Sequence, residues 1–297
     1  MSSPPHEAPH GRDLTIREAL AAATRHLEQA SVPSARVDAE LLAAHVLRCA
    51  RGALPGMDGF SPAQLDRYFS LVRSRAQRVP LQHLTGMAAF HMLDLVVGPG
   101  VFVPRPETEL LVEWGLAILS GVRGPLVVDL CSGTGAIALA VARQRPDAVV
   151  YAVERDPGAL YWLHRNARQC QTTGDRPVVV VTGDAVAPSV LSGLNGRVDL
   201  VLANPPYVPE GAVLPPEVAD HDPGQAVVAG PDGLTVIRPL LTRAKALLRS
   251  GGWVGVEHDD SHGETVPRML TAQRSWTAVT DHADLTGRPR FVTARRC

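Results

Sequence analysis

Hydrophobic spacing along this chain changes character between its first third and the rest. From residue 13 to about residue 80 the apolar positions recur at helical intervals. Leu20, Ala23 and Leu27 form one stripe, and Val37, Leu41 and His45 repeat it within "SARVDAELLAAHVLRC". Leu65, Phe69 and Val72 form a third. Two of these segments carry start signals. Thr15-x-x-Glu18 is a capping box, and Ser61-Pro62-Ala63-Gln64 offers a serine cap, a first-turn proline and a glutamine reaching back. The pattern predicts three or four short helices, a small accessory bundle. Residues 83–104 read as extended, with a turn at Gly98-Pro99-Gly100, and so as a β-hairpin linker.

From Leu126 onward short valine-rich runs alternate with helical segments. The runs are "LVVDL", "VVYAVE", "VVVVTGD", "VDLVLANPP" and "GGWVGVE"; helices are predicted over 136–144, 157–169 and 234–249. Continuous apolar runs suit parallel strands buried on both faces. Their alternation with helices predicts a doubly wound, mostly parallel α/β sheet. Trp276 to Arg296 adds two strands around Thr286-Gly287-Arg288-Pro289.

Composition narrows the partners. The chain has 297 residues, 45% hydrophobic and 20% charged, ordinary for a soluble globular protein. A net charge of −1 argues against stable binding to long nucleic acid. No apolar run reaches the roughly 18 residues of a membrane helix, so no membrane partner is expected. "MSSPPHEAPHGR" lacks the apolar core of a secretory signal, and residues 1–12 read as a disordered tail. Cys49, Cys131, Cys170 and Cys297 make no C-x-x-C, which suits reduced thiols in a cytoplasmic protein. His258 and His262 flank two aspartates, but directly after a strand this reads as a solvated loop and no metal is expected. His221-Asp222 reads as a structural turn.

"VVDLCSGTGAIALA" puts a glycine-rich turn between the first strand of this sheet and its helix. Gly133 and Gly135 allow a tight curl and close ligand approach. Two cofactor classes compete. G-x-G-x-x-A fits the dinucleotide fingerprint. Asp129 followed by x-x-x-G-x-G equally fits a site for S-adenosylmethionine, whose cationic amino-acid moiety welcomes a carboxylate that a pyrophosphate would not. Glu154, ending the second strand, can accept from both ribose hydroxyls of either cofactor. Asp184, after the third, is placed to meet an adenine edge.

The discriminating element is Asn204-Pro205-Pro206-Tyr207, after the fourth strand. Prolines cannot extend a ladder, so the strand stops and presents the asparagine. A planar amino group is a poor nucleophile, because its lone pair is delocalised. Two acceptors, the Asn204 side-chain oxygen and the Pro205 carbonyl, can hold both its N–H groups and aim the nitrogen. Tyr207 can stack on its flat face. Rate then comes from positioning and desolvation.

With these residues in place the chain resembles the HemK-type release factor glutamine methyltransferases. The likeness is carried by "RVPLQHLTG", "FVPRPETELLVE", "DLCSGTGAIALA", "NPPYVPEG", "DPGQAVVAGPDGLTVIR" and "DLTGRPRFVTARR". It implies a seven-stranded Rossmann-like methyltransferase sheet over 105–297, a helical bundle over 13–82 that recognises substrate, and the hairpin over 83–104. The implied activity is methyl transfer from S-adenosylmethionine to the glutamine of the Gly-Gly-Gln loop in class 1 peptide chain release factors. Carried over by motif, Asp129, Cys131, Ser132, Gly133, Thr134, Gly135, Glu154, Asp184, Ala185 and Asn204 touch the cofactor. Phe102 and the Pro104–Thr108 stretch lie over it. Asn204, Pro205, Pro206 and Tyr207 hold the substrate glutamine, with Asn204, Pro205 and Tyr207 catalytic. Three positions depart from the family pattern: Cys131-Ser132 stand for Gly-Thr, Ala185 for a bulky residue, and "EHDDSHGE" for Glu-His-Gly and a glutamine. Three other readings compete: an adenine-N6 methyltransferase of DNA or RNA, an NAD-dependent oxidoreductase that leaves the Asn-Pro-Pro-Tyr segment without a role, and a non-catalytic binding module that retains the fold.

Overall fold

A computed structural model describes residues 14–297; the tail expected at residues 1–12 lies outside them. The chain divides into two units, the first ending at Thr85 and the second spanning Gly86–Cys297.

The first unit is helical. Helix α1 (Ile16–Gln29) starts at Thr15, whose side chain accepts the Glu18 N–H while Glu18 accepts from the Thr15 N–H at 3.0 Å. Helix α2 (Ala35–Leu47) is followed by a 3-10 turn at Arg51–Gly56. Helix α3 (Pro62–Ala76) opens with the expected capping box between Ser61 and Gln64, and α4 (Leu81–Thr85) ends the unit. Ala19, Ala23, Leu27, Leu42, Tyr68 and Val72 fill the core. The α2 stripe differs from the expected one. Val37 is exposed, and Asp38, Ala39, Leu42, Ala43 and Val46 face inward. An alanine-rich helix is apolar on most sides, so its spacing did not select the buried face. What selects it is polar: Asp38 turns inward to meet Arg75 Nε at 2.7 Å and the Ser34 hydroxyl at 2.8 Å.

The second unit opens with a hairpin, β1 (Met87–Phe90) and β2 (Leu93–Val96). Its turn is at His91–Met92, both with positive φ, and not at Gly98-Pro99-Gly100; residues 83–85 belong to α4. Neither His nor Met announces a left-handed turn, so the sequence misplaced it. Helix α5 (Thr108–Ile118), which periodicity did not predict, precedes the sheet. Next come β3 (Leu126–Leu130), α6 (Ala136–Gln144), β4 (Val149–Glu154), α7 (Pro157–Thr172), β5 (Val179–Thr182) and β6 (Val198–Ala203). The short α8 (Pro216–His221), α9 (Ile237–Leu247), β7 (Leu248–Glu257), α10 (Thr265–Thr271), β8 (Trp276–Ala283) and β9 (Pro289–Arg296) complete the chain.

Seven strands form one sheet in the order β5-β4-β3-β6-β7-β9-β8. The first five are parallel, and β9 runs antiparallel to both β7 and β8. Both faces are covered, which is why the strands read as unbroken apolar runs. Val127, Val150, Leu200 and Leu202 pack under α5, α6, α7 and the hairpin. Val128, Leu130, Val201 and Val254 face the opposite way, toward α9 and α10. Chain order reverses between β3 and β6, so a crevice opens at their carboxyl ends.

The hairpin is tied to this crevice through α7. Asn166, 1% exposed, accepts the Val96 N–H at 2.7 Å and donates to Val96 O at 3.1 Å and Thr134 O at 3.0 Å. Trp162 donates to Pro99 O at 3.2 Å, and a Cβ on Gly98 would stand 2.6 Å from the Trp162 ring. One amide thus joins the hairpin to the glycine loop. Asn166→Ala leaves three backbone groups unpaired in an apolar layer. It should cost about 2–3 kcal/mol in chemical denaturation and accelerate hydrogen exchange at the Val96 amide; unchanged exchange there would refute the tie.

Candidate active site

A cavity of about 570 Å³ occupies the crevice at the carboxyl edge of the sheet. The loop after β3 shapes one wall. Cys131, Gly133 and Gly135 all have positive φ. The loop is held closed by the Gly135 N–H to Ser132 O at 2.7 Å, the Ser132 N–H to Val153 O at 3.0 Å and the Ser132 hydroxyl to Asp129 O at 3.0 Å. Its two glycines serve different ends. A Cβ on Gly135 would stand 2.5 Å from Leu163, so that residue is bare to let α6 and α7 pack. A Cβ on Gly133 would touch nothing within 4 Å, because it would project into the cavity. Cys131 pays a steric cost that glycine would not, of about 1–2 kcal/mol for a left-handed L-residue.

Of the residues expected at the cofactor, Phe102, Cys131, Ser132, Gly133, Thr134, Glu154, Asp184, Ala185 and Asn204 line this one cavity. Two do not. Gly135 lies behind the loop for the packing reason above. Asp129 is fully buried beneath it, with Oδ2 accepting the Ala138 N–H at 3.2 Å and Oδ1 without a partner among the described residues. Burial pushes its carboxyl up to about 7. From there Asp129 supports the loop and α6 from below.

Glu154, at the end of β4, reaches the middle of the wall. Its carboxylate accepts from the N–H groups of Gly133 at 2.8 Å, Arg155 at 2.7 Å and Asp156 at 2.9 Å. Three backbone donors orient it, filling three of its roughly four lone-pair sites, and the residue lines the cavity. Asp184 accepts the Val186 N–H at 3.2 Å and pairs with Arg155 at the exposed rim. Ala185, 5% exposed, covers the floor where a bulkier residue would narrow it.

The end of β6 carries the residues expected to hold the substrate. Asn204, Pro205, Pro206 and Tyr207 all line the cavity. The Asn204 Nδ2 donates to the Thr108 hydroxyl at 3.1 Å. Thr108, 3% exposed, opens α5. Glu257 ends β7, is 1% exposed and keeps Oε2 unpartnered among the described residues. Burial pushes its carboxyl up to about 7, against Thr108 and Arg290. Burial likewise pushes the Tyr207 phenol up, with Glu257 adding to the effect and Arg290 opposing it.

The Pro104–Thr108 stretch contributes more than Thr108. Arg105 lies over the Phe102 ring at 4.6 Å and pairs with Asp222 at 2.7 Å. Asp222 is thus a buried ion-pair partner and not only a turn; burial raises its carboxyl to about 6 although Arg105 opposes the shift. The reading of 258–262 as a solvated loop is likewise corrected. His258 is fully buried between Asp281 at 2.8 Å and Asp259 O at 2.9 Å, and His262 bonds Asp232 O at 2.9 Å. The two rings hold different segments, and among the described residues no His, Cys, Asp and Glu cluster could ligate a metal. Sequence reasoning named Thr108 only within its stretch and missed Glu257 and Arg290. An acid ending a strand, the signal used for Glu154, was equally present at Glu257.

Comparison with known proteins bears on this site. Residues 18–86 match the PrmC N-terminal domain family and residues 92–218 the Methyltransferase small domain family. The chain is 52% identical over 281 residues to a release factor glutamine methyltransferase of Mycolicibacterium smegmatis, covering 95% of this chain and 98% of that protein. It is 48% identical over 282 residues to the protein of that name from Streptomyces coelicolor, covering 93% and 96%. Among solved structures, the hMettl16 catalytic domain in complex with MAT2A 3'UTR hairpin 6 superposes with a TM-score of 0.51 at 14% identity, covering 80% of this chain and 82% of that one. That likeness is one of fold.

The raised carboxyl of Glu257 has a consequence for stability. Its folded-state value lies above its unfolded one, so the folded protein binds more protons between the two values. Its contribution to stability is full at low pH and is lost as pH rises from about 4 to about 7. Glu257→Gln cannot titrate. The stability of this variant relative to wild type should therefore increase between about pH 4 and pH 8 in urea unfolding; a flat difference would mean that Glu257 titrates normally.

Proposed function

The chain belongs to the release factor glutamine methyltransferase family, and from that we propose that it methylates the side-chain amide nitrogen, N5, of the glutamine in the Gly-Gly-Gln loop of class 1 peptide chain release factors, with S-adenosylmethionine as donor. The observation that carries this reading is Asn204 at the cavity wall with its amide nitrogen held by Thr108. The side-chain oxygen is then left for an incoming amide. The helical unit that ends at Thr85 is assigned to recognition of the release factor, and the cytoplasm is the compartment such a substrate sets.

The residues present fit this donor. Glu154 puts an oriented carboxylate at the cavity wall with one lone-pair site still open on Oε2, which suits a ribose hydroxyl. Gly133 leaves space that a Cβ would fill. Asp184 and Ala185 line the part of the cavity suited to a purine, and Phe102 offers it a face. When bound, S-adenosylmethionine supplies an electrophilic methyl group. The chain supplies position. Asn204 Oδ1 and the Pro205 carbonyl accept the two N–H groups of the substrate amide and turn its nitrogen. The stiff double proline keeps those oxygens convergent, and Tyr207 stacks on the amide plane. As the N–C bond formed, the methyl's C–S bond would break and leave a neutral thioether, and the proton would be lost from nitrogen only after attack, so no base is required before it. Holding a neutral nucleophile in line within a dry pocket is the main source of rate.

The adenine-N6 reading needs an extruded base and gives the curated relatives' names no part. An oxidoreductase leaves Asn204 and its prolines idle.

Incubating the protein with purified release factor and labelled donor, followed by peptide mass spectrometry, should place a single methyl on the glutamine of the Gly-Gly-Gln loop. Label in DNA or RNA and none in release factor would overturn the proposal. Asn204→Ala should lower kcat by about 100-fold or more while calorimetry shows donor binding largely retained. Glu154→Ala should do the reverse, weakening donor binding by about 10- to 100-fold.

A further inference from the structure

Phe102 reaches the cavity from a stretch of chain that no ladder holds. Residues 101–104 belong to no strand and no helix. They alternate nonetheless. Val101 and Val103 are each 1% exposed in the core, while Phe102 and Pro104 line the cavity. The two valines fix the backbone of the segment. They leave the Phe102 ring free to turn about its own bonds, and a turning ring offers no fixed face to a purine.

Arg105 restricts that freedom. Its guanidinium lies over the Phe102 ring, with Cζ 4.6 Å from the centroid, and its Nη2 donates to Asp222 Oδ2 at 2.7 Å. A planar guanidinium can do both at once, stacking through its face and bonding through its edge. Asp222 is the fixed end of the pair. Its side chain is fully buried, and its backbone N–H bonds Val218 O at 3.2 Å where α8 ends. The Arg105 side chain is 33% exposed, so without that anchor it would exchange between the ring and water. Burying a carboxylate costs about as much as its ion pair returns, so stability alone does not account for Asp222. It also lies outside the cavity wall that Phe102 and Arg105 help to form, and any effect it has on a bound donor passes through them.

We propose that Asp222, acting through Arg105, is a positioning residue that holds the Phe102 ring in place for the purine of the donor before the donor arrives. The proposal rests on the reading of S-adenosylmethionine as the donor and of Phe102 as a face for its purine. A ring ordered in advance removes the entropy loss of ordering it on binding, which corresponds to about 3- to 10-fold in affinity.

The test measures calorimetric affinity for S-adenosylmethionine in variants of the full chain. Asp222→Asn keeps shape and loses the charge; Arg105→Met keeps length and loses the charge; Arg105→Lys restores it. Phe102→Ala and the double variant of Asp222→Asn with Phe102→Ala complete a cycle. Asp222→Asn and Arg105→Met should each weaken binding about 3- to 10-fold, and Arg105→Lys should stay within about twofold of wild type. Asp222→Asn should add less than about twofold to the loss in Phe102→Ala, because the ring it positions is gone. A general loosening of the fold would weaken binding equally with or without the ring. In steady state the loss should fall on the KM for donor and not on kcat. Wild-type affinity in Asp222→Asn, a lysine variant as weak as the methionine one, multiplied losses in the double variant, or a fall in kcat with KM unchanged would each overturn the proposal. A further readout needs no donor. The chain has five phenylalanines, and the ring resonances of Phe102 are identified by their absence in Phe102→Ala. They should move in donor-free Asp222→Asn and stay put in a variant of the exposed Leu285; unmoved resonances in Asp222→Asn would also overturn the proposal. A wild-type protein that binds S-adenosylmethionine and leaves release factor unmethylated would overturn the functional reading alone, whereas one that binds no S-adenosylmethionine would overturn both.

Discussion

A strand with neighbours on both sides and helices over both faces must surrender its polar groups to partners or end. In this protein that constraint falls on β6. Leu200 to Ala203 are fully buried, and the next residue is an asparagine whose backbone passes directly into two prolines. The ladder stops there because the prolines have no N–H to give. The Asn204 side chain becomes the last polar group of the strand, anchored at one end by Thr108 and open to the cavity at the other. The rest of the site is arranged around that half-satisfied amide.

Single side chains tie distant segments together around the site. Asn166, buried, joins β2 to the glycine loop with three hydrogen bonds. Arg105 reaches from the segment before α5 to the buried Asp222, and the exposed Gln225 reaches Asp156 at the start of α7. Where such a bond is buried, as at Asn166, it is costly to leave unmade, which gives it leverage on geometry beyond its net contribution to stability.

Two buried acids, Asp129 and Glu257, sit under opposite walls, each with one oxygen unpartnered among the described residues and each with its carboxyl raised to about 7 by burial. Keeping them there lowers the stability of the folded chain near neutral pH. Neither is needed for packing. Asp129 supports the loop and the start of α6 from beneath, and Glu257 ends β7 at the cavity wall.

The sequence by itself determined the sheet, its glycine loop and the point where Asn204-Pro205-Pro206-Tyr207 ends the strand. Each is encoded locally: by unbroken valine runs, by glycine spacing, and by prolines that cannot extend a ladder. The capping boxes at Thr15 and Ser61 were legible for the same reason, since donor and acceptor lie three residues apart. Tertiary structure decided what depends on partners distant in the chain. It chose the inward face of α2 through Arg75, put the hairpin turn on His91 and Met92, withdrew Asp129 and Gly135 behind the loop, and buried His258 against Asp281. Above all it set Thr108 against Asn204 across 96 positions of sequence. A hydrogen bond of that span leaves no periodicity to read, because neither residue's neighbours carry the other's signal.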